Sequence, residues 1–590
     1  MLLTRLAPRR RATPLLRTFS TTRIRITNKR ASKSPMATSA HPDYTTYTHA
    51  DLLNRVTDLE AQLRRLHQNN SILPILPSPP PKSPPERQKQ HKRKKEPKPF
   101  DPSRHHTRPI ALKFAYLGGN YNGFEHHANN PTPLPTVEEA LWRALRKTLL
   151  IFPDFAGRGE EEVCWEGCEY SKCGRTDRGV SAFGQVVGVR ARSCRPKVKA
   201  EVEEGGDGLE GRRTVDDGDG ALSHDGDATE APWDPIHDEI PYIQVLNRVL
   251  PPDIRILAWC PHPPLDFSAR FSCKERRYRY FFTNPAYASA PGSDEGRLEI
   301  RRMELAAKKL EGLHDFRNMC KVDASKQITN FERRIFHAGI HRHGPERCAT
   351  GSRVEPELYY FEVRGSAFLW HQVRHMVAIL FLVGQGYEQP EIVDHLLDVE
   401  RCPGKPVYEM ADDRPLVLWE CIFPDAAQLS AQDHDGAHGD DGIARYVDTL
   451  QWIQAGESGG RDPSKSVIAG TDYGKYGPNG IVDSLWALWQ KRKIDEVLAD
   501  SLMNVVTQMG AASPMHPAPT GEKPSGAHEV SGCSDRLFDG SERPRTVGKY
   551  VQVMQRDMND APDVVNARYA VRKGLIPRCN GDALGGDAGE

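Results

Sequence analysis

Eight residues, Cys173-Gly174-Arg175-Thr176-Asp177-Arg178-Gly179-Val180, set a carboxylate between two arginines in a glycine-bracketed turn. A β-type run, Gln185-Val186-Val187-Gly188-Val189, follows directly. Gly174 and Gly179 permit positive φ or close backbone approach, so the segment suits a tight loop between two strands with Asp177 at its tip. Arg175 and Arg178 are expected to favour the ionised carboxyl, because a nearby cation lowers its pKa. An ionised carboxylate beside phosphate-seeking guanidiniums is what a nucleophile acting on a polyanion needs. The same residues also suit a β-turn with a structural Asp–Arg pair.

A second stretch, Arg276-Arg277-Tyr278-Arg279-Tyr280-Phe281-Phe282, alternates basic and aromatic positions. As a strand it puts Tyr278, Tyr280 and Phe282 on one face and Arg277 and Arg279 on the other. That pattern fits an amphipathic core strand, and it also fits a ring offered to an unstacked base. Cys164, Cys168 and Cys173 lack the paired CxxC spacing of structural zinc, and Gly118-Gly119 lacks the Lys-Ser/Thr of a phosphate loop. No metal and no nucleotide cofactor is expected.

The elements that must position these residues read as follows. Ile110–Tyr116 is a strand, Gly118–Phe124 a Gly/Asn turn, and Thr136 caps a helix with Glu138 and Glu139 in its first turn. The apolar face of that helix is Val137, Leu141, Leu145 and Leu149. A short helix follows Pro241, then strands at 254–259 and 275–283, a helix from about Arg302, strands near 333–342 and 357–364, and a long apolar helix introduced by Gly365–Met376. A helix over 390–399 and a strand at 416–423 close the set. Strands intermixed with helices and often adjacent indicate an α+β fold with a mixed or antiparallel sheet.

Three motifs, in order, carry a resemblance. Gly174–Ala182 resembles the catalytic signature of the TruA-type tRNA pseudouridine synthases. The Tyr278 strand resembles the second motif of that family, and Gly365-Ser366-Ala367-Phe368-Leu369-Trp370-His371-Gln372-Val373-Arg374-His375-Met376 the third. Gly312-Leu313-His314-Asp315-Phe316-Arg317-Asn318-Met319-Cys320-Lys321-Val322-Asp323 is similar to a narrower branch, the eukaryotic tRNA pseudouridine-38/39 synthases. The strong match spans 107–423 without its insertion.

The resemblance implies two α/β subdomains whose sheets join, a cleft between them, and a homodimer that holds tRNA. It implies isomerisation of uridine to pseudouridine without a cofactor. Asp177 would be the nucleophile, Arg374 its charge partner, Arg175 a group that intrudes into the stack or holds phosphate, and Tyr278 the platform for the target base. A synthase with another tRNA target, or a non-catalytic tRNA-binding protein on the same fold, are the competing readings. An intact Asp177, Tyr278 and Arg374 argues against the second of these.

At 590 residues, two folded domains plus tails is the expectation. Apolar content of 38% and a mean hydropathy of −0.60 imply long unfolded stretches. The net charge of +1 hides segregation, since the N-terminal hundred residues are basic and 201–239 and 425–441 acidic. No apolar run is long enough to span a membrane, and twelve scattered cysteines suit a reducing compartment.

Residues 1–42, with eight Arg, two Lys and no acid, read as a mitochondrial presequence, and a start at Met36 would remove most of it. Residues 43–106 hold a short heptad seam (Leu52, Val56, Leu59, Leu63, Leu66) and a linker with Lys92-Arg93-Lys94-Lys95, a nuclear-localisation or nucleic-acid patch. The expected location is nucleus and cytoplasm, with a mitochondrial form from Met1. The remaining layout is an N-terminal catalytic subdomain at 107–264 with a disordered acidic insertion at 199–239, a C-terminal one at 265–424, and a 425–590 extension. That extension carries helical patterns at Ala444–Gln454 and Ile481–Met509.

Overall fold

The computed structural model describes residues 100–128, 132–155, 157, 159, 161–196, 233–288, 294–344, 356–434, 446–457, 475–477, 480–509 and 536–575. The basic tail, the heptad seam, the Lys-rich linker and most of the acidic insertion lie outside the described residues.

Ten strands build one mixed sheet. They are β1 (His106–Tyr116), β2 (Ser171–Lys172), β3 (Ser181–Ser193), β4 (Ile254–Cys260), β5 (Glu275–Asn284), β6 (Gly312–Asp315), β7 (Glu332–Arg342), β8 (Glu357–Gly365), β9 (Leu416–Ile422) and β10 (Ile453–Gln454). The order is β10-β4-β1-β3-β9-β5-β8-β7-β6, with β2 on β3. β3 and β9 pair in parallel through Ser181↔Val417 and Ala182↔Leu418, and the other pairings are antiparallel. The α+β fold with a mixed sheet therefore stands. Strands β1, β3 and β4 come from the first part of the chain and β5 to β9 from the second, so the two short β3–β9 pairs join two sequential halves.

The α-helices of the described residues are α1 (Val137–Lys147), α2 (Tyr242–Asn247), α3 (Ile300–Lys308), α4 (Gln372–Gly384), α5 (Ile392–Leu397), α6 (Ala426–His434), α7 (Ile481–Gln508) and α8 (Pro562–Arg572), and Arg536–Leu537 pairs with Arg545–Thr546 in a separate two-stranded sheet. Helix α1 shows why the local sequence folds as it does. Thr136 Oγ1 accepts from the Glu139 amide at 3.2 Å, which satisfies one of the free N–H groups of the first turn. Val137, Leu141 and Leu145 are buried as expected, but Leu149 is exposed and outside the helix. The Thr148 hydroxyl donates to the Ala144 carbonyl, and Leu149 turns left-handed at φ +55.

Apolar side chains gather into two clusters. One is built from β1, β3, β4, α1 and α2, and the other from β5, β7, β8 and the fully buried α4. Tyr278 packs against both. Among the described residues no helix is long and apolar enough to cross a membrane.

Two expectations need correction, and one packing feature was not anticipated. Residues 233–239, assigned to the disordered insertion, are packed against the sheet. The buried Glu239 carboxylate accepts from Arg108 at 3.1 Å, Ser193 Oγ at 2.7 Å and the Cys194 amide at 2.8 Å. Acidic composition hid a residue whose charge is fully paired. Residues 446–454, expected to be helical, instead lead into the edge strand β10 against β4. Finally, the described part of the C-terminal extension is built into both clusters, with Ala455 and Ile481 in the first and the 536–575 segment in the second. Leu537, Phe538 and Val553 are buried in it, the Phe538 amide donates to Gln385 Oε1, and Tyr550 Oη and the Val553 amide donate to buried Glu388. The polar composition of that segment gives no apolar period, because hydrogen bonds to Gln385 and Glu388 do much of the anchoring.

The insertion can therefore be trimmed, but not to its full expected length. Arg195 lies 6.0 Å from the Trp233 ring, so a short linker spans the gap. Deleting 201–232 should leave the thermal midpoint within a degree or two, since loop-closure entropy depends weakly on length. Deleting 201–239 strips Ser193, Cys194 and Arg108 of their carboxylate, at about 1–3 kcal/mol for each buried group left unpaired. A melting comparison of the two deletions checks this, and equal midpoints would contradict it.

Candidate active site

The loop from Cys173 to Val180 joins β2 to β3 and is held from below. Fully buried Gln185 clamps Gly174, accepting its amide at 3.0 Å and donating to its carbonyl at 2.9 Å. Tyr116 Oη and Thr176 Oγ1 share a hydrogen bond of 2.7 Å, and the Phe124 amide donates to the Thr176 carbonyl. Gly179 has φ +80, and a Cβ there would lie 2.3 Å from Asp413 Oδ1, so two constraints exclude a side chain. Gly174 is needed for space, since a Cβ would meet Leu418 at 3.0 Å.

Asp177 at the tip is about a quarter exposed. Trp370 Nε1 donates to its Oδ1 at 3.2 Å, and His371 Nε2 lies 3.4 Å from its Oδ2. Both partners stand just before or at the cap of α4, where His371 adopts a left-handed φ of +60. A non-glycine residue pays roughly 1–2 kcal/mol for that conformation, and here it aims the imidazole at the carboxylate. Burial pushes the His371 pKa down to about 4, helped by the charges of Arg374, Lys321 and Lys405. The imidazole is therefore neutral at pH 7, and the contact is carboxylate to neutral ring. Trp370 thus supplies the hydrogen bond that orients Asp177, and the neutral His371 ring stands beside its second oxygen.

Arg374, one turn into α4, is buried and does not touch Asp177 directly. Its Nε donates to the Ala411 carbonyl at 2.7 Å and its Nη1 lies 3.9 Å from Asp413 Oδ2. The expected direct Asp177–Arg374 pair is thus replaced by action through space, in which Arg374 is the largest influence favouring the ionised form. Nor do Arg175 and Arg178 depress the carboxyl, contrary to expectation. Arg175 is half exposed and pairs with Glu125 at 3.3 Å, and the charge of Arg178 acts on Asp413. Burial dominates at Asp177, joined by repulsion from Asp413, and the pKa ends above the usual aspartate value.

Tyr278 lies on β5 between Val363 of β8 and Leu418 of β9. Leu418 is the side chain that backs Gly174, so one strand separates the ring from the Asp177 loop. Phe368 meets the ring edge-on at 5.0 Å. Burial raises the phenol pKa well above its usual value, so the hydroxyl is protonated at rest. Among the described residues no side-chain hydrogen bond acts on it.

Sequence reading missed four participants. Lys321 lies 4.6 Å from the Trp370 ring, and Lys405 Nζ lies 3.2 Å from His375 Nε2, with its pKa pushed down to about 8 by burial. With His371 and Arg374 they line a cavity of about 420 Å³ closed in part by Asp539 and Ser541. Trp370 and His371 are the other two. Both stood inside a quoted motif, and a Trp-His pair at a helix start was the available signal. A carboxylate held by the Trp370 N–H, beside a cavity lined by Lys321, Arg374 and Lys405 as well as Glu409, Asp412 and Asp539, can attack an electrophilic carbon in a bound substrate.

Comparison with known proteins agrees with this chemistry. A tRNA pseudouridine(38/39) synthase of Saccharomyces cerevisiae is 40% identical over 384 residues, covering 65% of this chain and 72% of that protein. The chain belongs to the tRNA pseudouridine synthase family. A tRNA pseudouridine(38/39) synthase of Mus musculus is 42% identical over 393 residues, covering 65% of this chain and 68% of that protein. A tRNA pseudouridine synthase A of the archaeon Methanothrix thermoacetophila is 29% identical over 322 residues, covering 54% and 84%. The family profile described as tRNA pseudouridine synthase matches 306–424, which includes Lys321, Trp370, His371, Arg374 and Lys405. As a pseudouridine synthase the chain is an isomerase, so whatever proton its site removes it must also return.

Proposed function

We propose that this chain isomerises uridine to pseudouridine in the anticodon arm of tRNA, at positions 38 and 39, with Asp177 as the nucleophile. The observation that carries the reading is Asp177, held at the tip of its loop by Trp370 with His371 beside it, while Arg374 favours its charge. The match to 38/39 synthases at 40–42% identity, against 29% for the broader family, supports the target positions.

In this reading the two apolar clusters are two subdomains joined at β3 and β9, and the substrate enters between them. The target uridine leaves the stack, because its glycosidic bond is otherwise shielded. Arg175, half exposed, fills the vacated place or holds a phosphate, and Lys321 and Lys405 bring positive charge to the backbone. Asp177 attacks ribose C1′ or the uracil ring, the N1–C1′ bond breaks, and the freed uracil turns on the Tyr278 ring.

A C5–C1′ bond then forms as the bond to Asp177 breaks and releases the carboxylate, which leaves a proton on C5 that must go and an N1 that must gain one. The protonated Tyr278 hydroxyl suits both transfers, giving its proton to N1 and taking the one from C5. Product and substrate have the same atoms, so no redox partner or energy source enters the balance.

Two further parts of the reading concern assembly and address. A homodimer is supported by α7, whose Trp486, Trp489, Val497, Leu498, Leu502 and Val506 are exposed and would be covered by a second copy. Sedimentation of the full-length chain should give twice the chain mass, and Trp486→Glu/Leu498→Glu half of that if α7 forms the contact. Nucleus and cytoplasm, with a mitochondrial form from Met1, is the proposed location, and imaging of Met1 and Met36 start-site variants tests it.

The target positions are tested with transcribed tRNAs carrying uridine at 38, at 39, or at neither. The purified chain should convert the first two and leave the third unchanged. Conversion elsewhere in the third tRNA would point to another target site.

A further inference from the structure

Strand β7 places His337, Gly339 and His341 at alternate positions, hence on one face of the sheet. Glu362 of β8 sits opposite Gly339 in the register, between the two histidines. One ligating atom from each of His337, His341 and Glu362 lies within 4.8 Å of the others, and all three residues are half-buried. The Nε2 atoms of the two histidines are 3.4 Å apart.

That separation is beyond the range of about 2.7–3.2 Å for a well-formed N–H hydrogen bond. It matches the distance between two nitrogens each about 2.0–2.1 Å from one tetrahedral zinc, which is roughly 3.3–3.4 Å. Gly339 is what lets the rings converge. Its φ is not positive, so the backbone does not require glycine there, yet a Cβ would lie 3.2 Å from His337 Nε2 and 3.3 Å from His341 Nε2. The outer arrangement also fits. His337 Nδ1 lies 3.4 Å from Glu311 Oε1, a carboxylate already fixed by the Ala338 amide at 2.9 Å and by Lys308. A carboxylate behind a histidine holds the proton on Nδ1 and leaves Nε2 free to ligate. Arg279 holds Glu362 Oε2 at 2.7 Å, which leaves the second carboxylate oxygen for coordination.

We infer that His337, His341 and Glu362 form a binding site for a divalent transition metal, zinc by its donor set, with water in the fourth position. The ion would tie β7 to β8 and takes no part in the isomerisation. The site shares no residue with the Asp177 site, so its failure and the failure of the proposed function are separable.

The test uses the full-length chain without a histidine tag, stripped with a chelator. Titration with Co²⁺ should give the visible d–d absorption of a four-coordinate N/O site at one ion per chain, and zinc should displace it. Elemental analysis of the zinc-loaded protein should give the same ratio. His337→Ala and His341→Ala should each weaken binding at least about 100-fold, and Glu311→Gln about tenfold. Gly339→Ala should weaken it by intruding between the rings.

Because an alanine variant can fail to fold, chelation is also read by melting. The thermal midpoint of the wild type should fall on metal removal, and that of Glu311→Gln should fall less. Cys173→Ser probes the other convergent trio, the buried Cys173, Cys273 and Cys421, and should leave the Co²⁺ spectrum unchanged. Absence of Co²⁺ absorption, or a spectrum kept in both histidine variants, overturns the proposal, as does one lost in Cys173→Ser.

Discussion

Asp177→Asn should reduce pseudouridine formation by a factor on the order of 10⁴ or more, the scale on which a lone catalytic group is missed, without destabilising the protein. The amide keeps the shape of the carboxyl and loses only the charge that attacks. Burial raises the carboxyl pKa in the folded chain. The stability this group contributes is therefore present below its unfolded pKa and is lost as pH rises through the folded value. At pH 7 the ionised side chain is held at a cost, and replacing it with a neutral amide should leave the melting temperature unchanged or slightly higher. Affinity for tRNA should stay within about tenfold, because that term is spread over many lysines and arginines. Turnover, melting and filter binding on one preparation read all three. Loss of folding together with activity would support a merely structural aspartate.

Tyr278 carries the second large effect. Tyr278→Ala removes both ring and hydroxyl, and turnover should fall by about 10³-fold or more, combining lost positioning with lost proton transfer. Tyr278→Phe keeps the ring between the two clusters and against Phe368. Among the described residues no side-chain hydrogen bond acts on the hydroxyl, so its loss should leave the fold undisturbed. Turnover should still fall about 100-fold if the hydroxyl shuttles the proton between C5 and N1. Single-turnover kinetics at saturating tRNA separates this from weaker binding. Full activity in Tyr278→Phe would leave the tyrosine as a platform only.

Local pattern made much of this legible. Glycines around Asp177, the alternating Tyr278 strand, the Thr136 cap and the apolar α4 are all written in neighbouring residues, and each element is where its period puts it. What escaped was set by contacts between distant parts of the chain. Trp370 reaches Asp177 across 193 positions, and nothing in either segment fixes that register. Arg374 was in the right place but bonded to Ala411 and Asp413, which become neighbours only when the 410–415 turn folds over Gly179. The charge balance at Asp177 followed from burial, which adjacent arginines do not report. Glu239 was misread, and the packing of the 536–575 segment not anticipated, for the same reason. Their polar composition is satisfied by specific buried hydrogen bonds rather than by an apolar period.

The most direct measurement replaces the cellular copy of this chain with Asp177→Asn and maps every pseudouridine in the cell's tRNAs. The account predicts that the signals at positions 38 and 39 disappear while all others persist, with the variant present at normal abundance. Unchanged signal at both positions, or loss confined to other sites, would contradict it.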